Sequence, residues 1–209
     1  LQPAVVKSQV LIGGRGKAGG IKFPADPEDA RRCAAELLSM SIKGYRVRRL
    51  LVEKKISIAQ ELYLGITIDR SASAPVLLAC GRGGMDIEEI ARAYPAEIIR
   101  HAIDPLIGIA GYAAMDISRR MGLRKHSLGQ AAKIIRTLYD VFEKYDAEIV
   151  EINPLVKTDE GNLVAADAKI NIDEEALWRQ PEIRTEDEWL SELEKEARKN
   201  NLGYVEMDG

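Results

Sequence analysis

The glycine-rich run at residues 13–20, GGRGKAGG, constrains the fold more than any other feature of the sequence. Glycine lets backbone N–H groups approach an anion closely, and Arg15 and Lys17 add positive charge to the same run. An apolar, β-branched segment at residues 4–12 leads into the run, and a short apolar segment at residues 21–23 follows it. We therefore predict a loop between two strands that lies over a polyphosphate. A plain glycine-rich surface turn is the alternative.

Two common phosphate-binding motifs do not fit this run. A Walker A loop would need glycine at Leu11 and a hydroxyl residue at Ala18. Gly14, Gly16 and Gly19 match the dinucleotide-binding pattern G-x-G-x-x-G. However, a strand pattern follows them instead of a helix, and no acidic residue lies at the expected distance.

The rest of the pattern mixes strands and helices with hairpin-like neighbours, which favours an α+β fold over a doubly wound parallel sheet. The first helix begins at Asp26-Pro27, an N-cap followed by proline, and is predicted to end at Gly44. Further helices are predicted at residues 86–94, 112–121, 127–145 and 185–200, the last with one docked face formed by Trp189, Leu190 and Leu193. In the helix at 127–145, one apolar stripe is formed by Ala131, Ile135, Leu138 and Phe142. Strands are predicted at residues 47–53, 59–69, 75–80, 97–103, 148–156 and 163–172.

Composition excludes several classes of protein. Hydrophobic residues make up 46% of the chain and the net charge is -3, which is typical of a globular protein and argues against nucleic-acid binding. No apolar run approaches the roughly 20 residues of a membrane span, so we expect a cytoplasmic protein with no membrane contact. Cys33 and Cys80 are isolated from each other and are predicted to be buried thiols.

The segment Glu151-Ile152-Asn153-Pro154 is the second chemical signal. Side chains alternate along a strand, so Glu151 and Asn153 share one face. Downstream, residues 159–161 read Asp-Glu-Gly, which predicts a three-residue hairpin loop with glycine at the position that needs positive φ.

This loop fixes a register between the two strands of the hairpin. Pairing Thr158 with Asn162 places Asn153 opposite Asp167, with Cβ atoms about 5 Å apart. Two such oxygen ligands could share one Mg²⁺ ion, which usually takes its remaining ligands from phosphates and water. An ordinary polar hairpin face is the alternative, and a slip of one residue would break the pairing.

A third feature is weaker when taken alone. Glu53 ends the apolar strand predicted at residues 47–53, and Glu61 lies on the next strand. A solvated strand end explains both residues unless another observation joins them to a site.

Several motifs occur in an order that closely resembles the β subunits of succinate–CoA ligases. They are Lys7 after Val-Val, the loop at residues 13–20, LVE ending at Glu53, ELYLG at 61–65, GGMDIE at 83–88, DPL at 104–106 and EINPLV at 151–156. The resemblance covers nearly the whole chain. It implies an ATP-grasp fold with two lobes, residues 1–55 and 56–209, a nucleotide cleft between them, and truncation at both ends relative to the family.

The resemblance also implies residue roles. The positions that match nucleotide-binding residues of the family are Lys7, Gly14, Arg15, Gly16, Glu53, Ile56 and Glu61. Asn153 and Asp167 match its Mg²⁺ ligands. Glu151 matches the acid that meets a phosphohistidine carried by the CoA-binding α subunit, which is the implied partner.

The implied reaction joins succinate to CoA and converts a nucleoside triphosphate to the diphosphate and phosphate, a step of the citric acid cycle. Arg82 stands where many succinate ligases have an acid, and malate–CoA ligases are more similar there. The choice between ATP and GTP stays open. A non-catalytic docking module of the same fold is the alternative from another class of function.

Overall fold

Two antiparallel sheets carry the residues singled out above. The computed structural model describes residues 3–183, 190–200 and 202–204. In this part of the chain the smaller sheet has the order β2-β1-β5 and packs against one helix. Its elements are β1 (Ala4–Gln9), β2 (Ile21–Lys22), α1 (Pro27–Ser39) and β5 (Arg49–Lys54), with a short hairpin of β3 (Ser41–Ile42) and β4 (Tyr45–Arg46) inserted before β5.

The larger sheet has the order β10-β9-β6-β7-β8, and a further strand, β11, also pairs with β9. Its strands are β6 (Gln60–Asp69), β7 (Ala74–Cys80), β8 (Ile99–Ala102), β9 (Ala147–Lys157), β10 (Leu163–Ala165) and β11 (Ala168–Ile172). The helices of this part are α2 (Ile87–Ala93), α3 (Gly111–Arg120), α4 (Lys125–Lys144) and α5 (Glu192–Lys199), with 3₁₀ turns at Pro95–Glu97 and Glu174–Arg179.

The core lies between α3, α4 and one face of the larger sheet. The apolar stripe predicted on α4 is confirmed, because Ala131, Ile135, Leu138 and Phe142 are all buried in this core. They pack in one cluster with apolar residues of β6 such as Leu64. Burying a side chain of this size stabilises the fold by about 1.5–3 kcal/mol, so this layer holds β6 and β9 in place.

The register predicted for the hairpin is confirmed. Thr158 N donates to Asn162 O at 2.8 Å, and Gly161 has a φ of 84°. Asn153 N donates to Asp167 O at 3.1 Å, so these two residues lie directly opposite each other. The structure therefore places Asn153 of β9 directly opposite Asp167, which lies in the break between β10 and β11.

The predicted end of the first helix is wrong. The helix ends at Ser39 rather than at Gly44, and the chain turns back immediately through β3 and β4. Lys43 and Gly44 both have positive φ, at 48° and 89°, which is the geometry of a tight two-residue hairpin turn. Lysine is an unusual first residue for such a turn, so the hairpin had little sequence signal.

Other corrections concern exposure and element ends. Cys80 is buried, but Cys33 is only partly buried, because its helix lies on the small sheet and exposes that edge. The strand predicted at 97–103 begins later, after a 3₁₀ turn. The last helix begins at Glu192, where Ser191 forms a capping box, and Leu193 is exposed instead of docked. Residues 184–189, including Trp189, lie outside the described residues.

Within the described residues, none of the helices combines the length and hydrophobicity that crossing a bilayer requires. The lobe boundary predicted at residue 55 stays a prediction.

Two glycines give a matched test of the packing. A Cβ on Gly83 would collide with the backbone of Leu62 in β6, whereas Gly129 in α4 has open space around it. We expect Gly83→Ala to lower the free energy of unfolding by about 1–3 kcal/mol through overpacking. Gly129→Ala should raise it by about 0.5–1 kcal/mol through helix propensity. Urea unfolding followed by circular dichroism measures both, and equal effects would contradict the packing of residue 83 on β6.

Candidate functional site

Lys7 places a buried ammonium group at the centre of the smaller sheet. The residue is 7% exposed, and its Nζ donates to Ala166 O at 2.6 Å and lies 2.7 Å from Glu53 Oε2. A buried charge is stable only when it is paired and hydrogen-bonded, and these two contacts meet that need. The Ala166 contact also joins β1 to the returning strand of the hairpin in the larger sheet.

The glycine loop folds back on itself between β1 and β2. Gly20 N donates to Arg15 O at 2.8 Å, and Ser8 N donates to Gly20 O at 2.8 Å. Glycine is required at position 14, where φ is 83°, and at position 20, where a Cβ would lie 2.9 Å from Arg15 O. The loop therefore has a defined shape that presents the side chain of Arg15 toward the larger sheet.

Arg15 reaches across to Asp167 and forms a two-point ion pair. Its Nη2 lies 2.5 Å from Asp167 Oδ1, its Nε donates to Oδ2 at 3.2 Å, and its Nη1 donates to Ser8 O at 2.7 Å. Such a fork geometry gives both strength and direction. The predicted phosphate-binding arginine and a predicted metal ligand are thus in direct contact.

Asn153 uses its side-chain amide to hold a neighbouring loop. Its Oδ1 accepts from Gly84 N at 2.9 Å, and its Nδ2 donates to Met85 O at 3.0 Å. Gly84 has a φ of 73°, and a Cβ there would collide with the carboxylate of Glu61. The loop at residues 83–86 is therefore pressed between β6 and β9, next to both Asn153 and Glu61.

A cavity of about 580 Å³ lies between the two sheets, within the range of ligand pockets. All the predicted site residues except Glu53 and Glu151 line it, which brings together Lys7, Gly14, Arg15, Gly16, Ile56, Glu61, Asn153 and Asp167. Glu53 lies behind Lys7 and contacts it instead. The roles assigned to these residues remain predictions.

Glu151 lines a second cavity, of about 410 Å³, that adjoins the first. The two cavities share a wall formed by Gly14, Arg15, Asp86, Asn153 and Asp167. Burial raises the pKa of the Glu151 carboxyl, and the nearby charge of Glu88 raises it further. Hydrogen bonding by Asn153 and the charge of Lys169, its cross-strand partner, act in the opposite direction.

Tyr63 lies beneath Glu151. The residue is buried, and its hydroxyl is 3.5 Å from Glu151 Oε2, within reach of a weak hydrogen bond. Burial raises the pKa of the Tyr63 hydroxyl, and the negative charge of Glu151 adds to this shift. Tyr63 therefore stays a neutral donor at physiological pH.

Several residues that line the larger cavity were not predicted as site residues, among them Phe23, Met85 and Asp86. Phe23 exposes 63% of its surface, with Lys55 Nζ 5.3 Å from its ring centre. Met85 and Asp86 belong to the loop held by Asn153. Asp86 begins the helix predicted at residues 86–94 and lies in the motif GGMDIE, so an acid close to two glycines was the available sequence signal.

Comparison with known proteins is consistent with this architecture. The profile of the ATP-grasp domain family matches residues 1–157. This chain belongs to that family.

The chain is similar, more particularly, to β subunits of ADP-forming succinate–CoA ligases. It is 48% identical to the one from Ignicoccus hospitalis over 208 residues, covering 99% of this chain and 55% of that protein. Identity to the one from Bacteroides thetaiotaomicron is 44% over 210 residues, covering 98% of this chain and 55% of that protein. The chain thus spans about half the length of the curated relatives it matches.

Solved structures share the fold at lower identity. ATP citrate lyase from Methanothrix soehngenii aligns with a TM-score of 0.71 and 22% identity over 95% of this chain and 47% of that chain. An acetyl-coenzyme A synthetase from Ca. Korarchaeum cryptofilum aligns with a TM-score of 0.60 and 16% identity over 82% of this chain and 76% of that chain. With the family match, they confirm the α+β ATP-grasp fold predicted from the sequence.

The raised pKa of Glu151 gives a test by pH. The folded protein binds this proton more tightly than the unfolded chain, so its stabilising effect is full below the ordinary pKa of 4.5 and is lost as pH rises through the folded value. Glu151→Gln removes the ionising group, so we expect higher stability than the wild type at neutral pH and a flatter decline above pH 4.5.

Urea unfolding across a pH series measures this difference. Glu148→Gln, the same change at an exposed position of β9, is the matched control for loss of one carboxylate. Equal slopes for the wild type and Glu151→Gln would contradict the assignment of the shift to residue 151.

Proposed function

We propose that this chain is the nucleotide-binding part of the β subunit of an ADP-forming succinate–CoA ligase. The reaction converts succinate, CoA and ATP to succinyl-CoA, ADP and phosphate, reversibly, through a phosphohistidine on an α subunit. The identity to named β subunits over almost the whole chain supports this proposal. The chain spans about half the length of those relatives, so the activity of the whole enzyme is part of the proposal.

One observation carries the nucleotide-binding part of the proposal. The cations Lys7 and Arg15 line the same cavity as the oxygen ligands Asn153 and Asp167. A triphosphate needs cations around its phosphate oxygens, and its usual counter-ion needs oxygen ligands from the protein. A cavity that offers both within one cleft is suited to such a ligand. Phosphoryl transfer requires chiefly positioning and neutralisation of charge, and this chain supplies the groups for both.

The residues present fit a Mg²⁺ ion bound together with the nucleotide. Asp167 supplies a carboxylate and Asn153 Oδ1 an amide oxygen from directly opposed backbone positions, and both line the cavity. The lone pair of Asn153 Oδ1 that does not accept from Gly84 N is available to an ion. When bound, Mg²⁺ would neutralise phosphate charge. Arg15, which now pairs with Asp167, would turn to the phosphate oxygens.

Glu151 is proposed to meet the phosphohistidine of the partner. It lies in the second cavity, across the shared wall from the nucleotide cleft. A carboxylate there can accept a hydrogen bond from the imidazole N–H and so direct the other ring nitrogen toward the phosphoryl group. The partial burial that raises the pKa of Glu151 also strengthens this interaction, because less water competes for it.

The relatives are named as ADP-forming succinate–CoA ligases, which supports ATP over GTP and succinate over malate in the proposal for this chain. Arg82 differs from the acidic residue that many succinate ligases have at this position, but this difference says little about which acid is the substrate. Arg82 pairs with Glu97 at 2.6 Å and stacks on Tyr94, outside the lining of either cavity. We place the enzyme in the cytoplasm, in the citric acid cycle, as one subunit of a heteromer.

Removing the metal ligands tests the proposal. We expect Asp167→Ala with Asn153→Ala to weaken Mg–ATP binding by about tenfold or more, because hydrogen bonds and ligands that involve charged groups are worth about 1.5–3 kcal/mol each. The measurement is isothermal titration of full-length β subunit with ATP at increasing Mg²⁺, followed by transfer of labelled phosphate to the α subunit. Asp159→Ala, at the exposed tip of the same hairpin, is the matched control.

A non-catalytic docking module predicts a different outcome. In that case Asp167→Ala would leave nucleotide binding and every activity of the complex unchanged. Absence of nucleotide binding by intact wild-type β subunit, with or without Mg²⁺, would overturn the proposed function itself.

A further inference from the structure

Lys17 joins the glycine loop to the opposite side of the cleft. Its Nζ lies 2.9 Å from Asp86 Oδ2 and 2.7 Å from Glu89 Oε1, so two carboxylates converge on one ammonium group. Asp86 directly precedes α2 and Glu89 lies within it, whereas Lys17 belongs to the loop between β1 and β2. The contact therefore crosses the mouth of the nucleotide cavity, which Lys17 and Asp86 both line.

The acidic side of this contact is held in place by the larger sheet. Asn153 fixes the backbone of Gly84 and Met85 through two hydrogen bonds, and Gly83 lies against the backbone of Leu62. Asp86 follows directly in the chain. The backbone that leads into Asp86 is therefore fixed by contacts with β6 and β9.

The charges at the contact indicate what Lys17 does. One ammonium between two carboxylates makes a group with net negative charge, which would repel a phosphate. Arg15 differs, because it pairs with a single carboxylate and donates its remaining hydrogen bond to a backbone carbonyl. Lys17 is thus placed to fasten the loop, whereas Arg15 is placed to bind an anion.

We propose that Asp86 and Glu89 are positioning residues that hold the glycine loop over the nucleotide cleft through Lys17. The loop at residues 83–86 and the first turn of α2 are then a further part of the nucleotide site, beside the glycine loop and the hairpin. The role of this segment in nucleotide binding rests on the proposed function, whereas its contact with the glycine loop does not. The side chains of Lys17, Asp86 and Glu89 are about half exposed, so the fastening is weak enough to open for exchange of ligand.

The first experiment measures how readily the glycine loop opens in the absence of nucleotide. Hydrogen exchange of residues 13–20, and tryptic cleavage after Arg15 and Lys17, are followed in the full-length chain. The double variant Asp86→Asn, Glu89→Gln should exchange and be cleaved about three- to tenfold faster, the range expected for loss of exposed ion pairs. Glu36→Gln is the matched control, because it removes the exposed 2.7 Å pair between Lys22 of β2 and Glu36 of α1. Unchanged exchange in the double variant would overturn the proposal.

The second experiment separates fastening from direct phosphate binding. Mg–ATP affinity is measured for Lys17→Met, for the double variant and for the triple variant that combines them. If the acids act through Lys17, all three lose affinity by a similar factor, about three- to tenfold. If Lys17 binds phosphate directly, Lys17→Met loses affinity while the double variant gains it, and the proposal fails. A wild type that binds no nucleotide would refute the proposed function, and the exchange data would still decide whether the acids fasten the loop.

Discussion

The pairing register between β9 and the strand that returns after residues 159–161 is the constraint on which the rest of the site depends. It places Asn153 opposite Asp167, and it brings Ala166 O beneath Lys7 Nζ. A shift of one residue would turn every one of these side chains to the opposite face of the sheet. The register is secured at its closed end by a tight loop and along its length by the apolar face of β9 against α4. The packing of β9 against α4 therefore fixes the positions of the site residues.

The contacts between the two sheets follow a common pattern. Three cations of the smaller sheet or its loop contact oxygens on the opposite side of the cleft: Lys7 contacts Ala166 O, Arg15 contacts Asp167 and Lys17 contacts Asp86. Arg15 and Asp167 neutralise each other across the cleft. If a polyphosphate and its counter-ion bind there, each of these two groups exchanges one charged neighbour for another, which keeps the cost of desolvation small.

Much of this architecture could be predicted from residues close together in sequence. The turn at Gly161 set the hairpin register, and the spacing of Ala131, Ile135 and Leu138 identified the buried face of α4. Local patterns of this kind determine local geometry directly. The β3–β4 hairpin was not predicted, because the sequence Lys43-Gly44 has only a weak preference for a two-residue hairpin turn.

Contacts set by tertiary structure could not be predicted in this way. Nothing near Asn153 in sequence indicates that its amide clamps residues 84 and 85, some 68 positions earlier. The same holds for Lys17 and Asp86, which are 69 positions apart. The candidate site was therefore predicted as a set of residues, and its internal connections required the fold.

The wall shared by the two cavities has a thermodynamic consequence. Both cavities are lined by Arg15, Asn153 and Asp167, so a charged ligand in one cavity changes the electrostatic potential at a ligand in the other. Thermodynamic linkage makes this effect reciprocal. The factor by which the first ligand changes the affinity for the second equals the factor by which the second changes the affinity for the first. A group that moved between the two cavities would cross a single layer of these side chains.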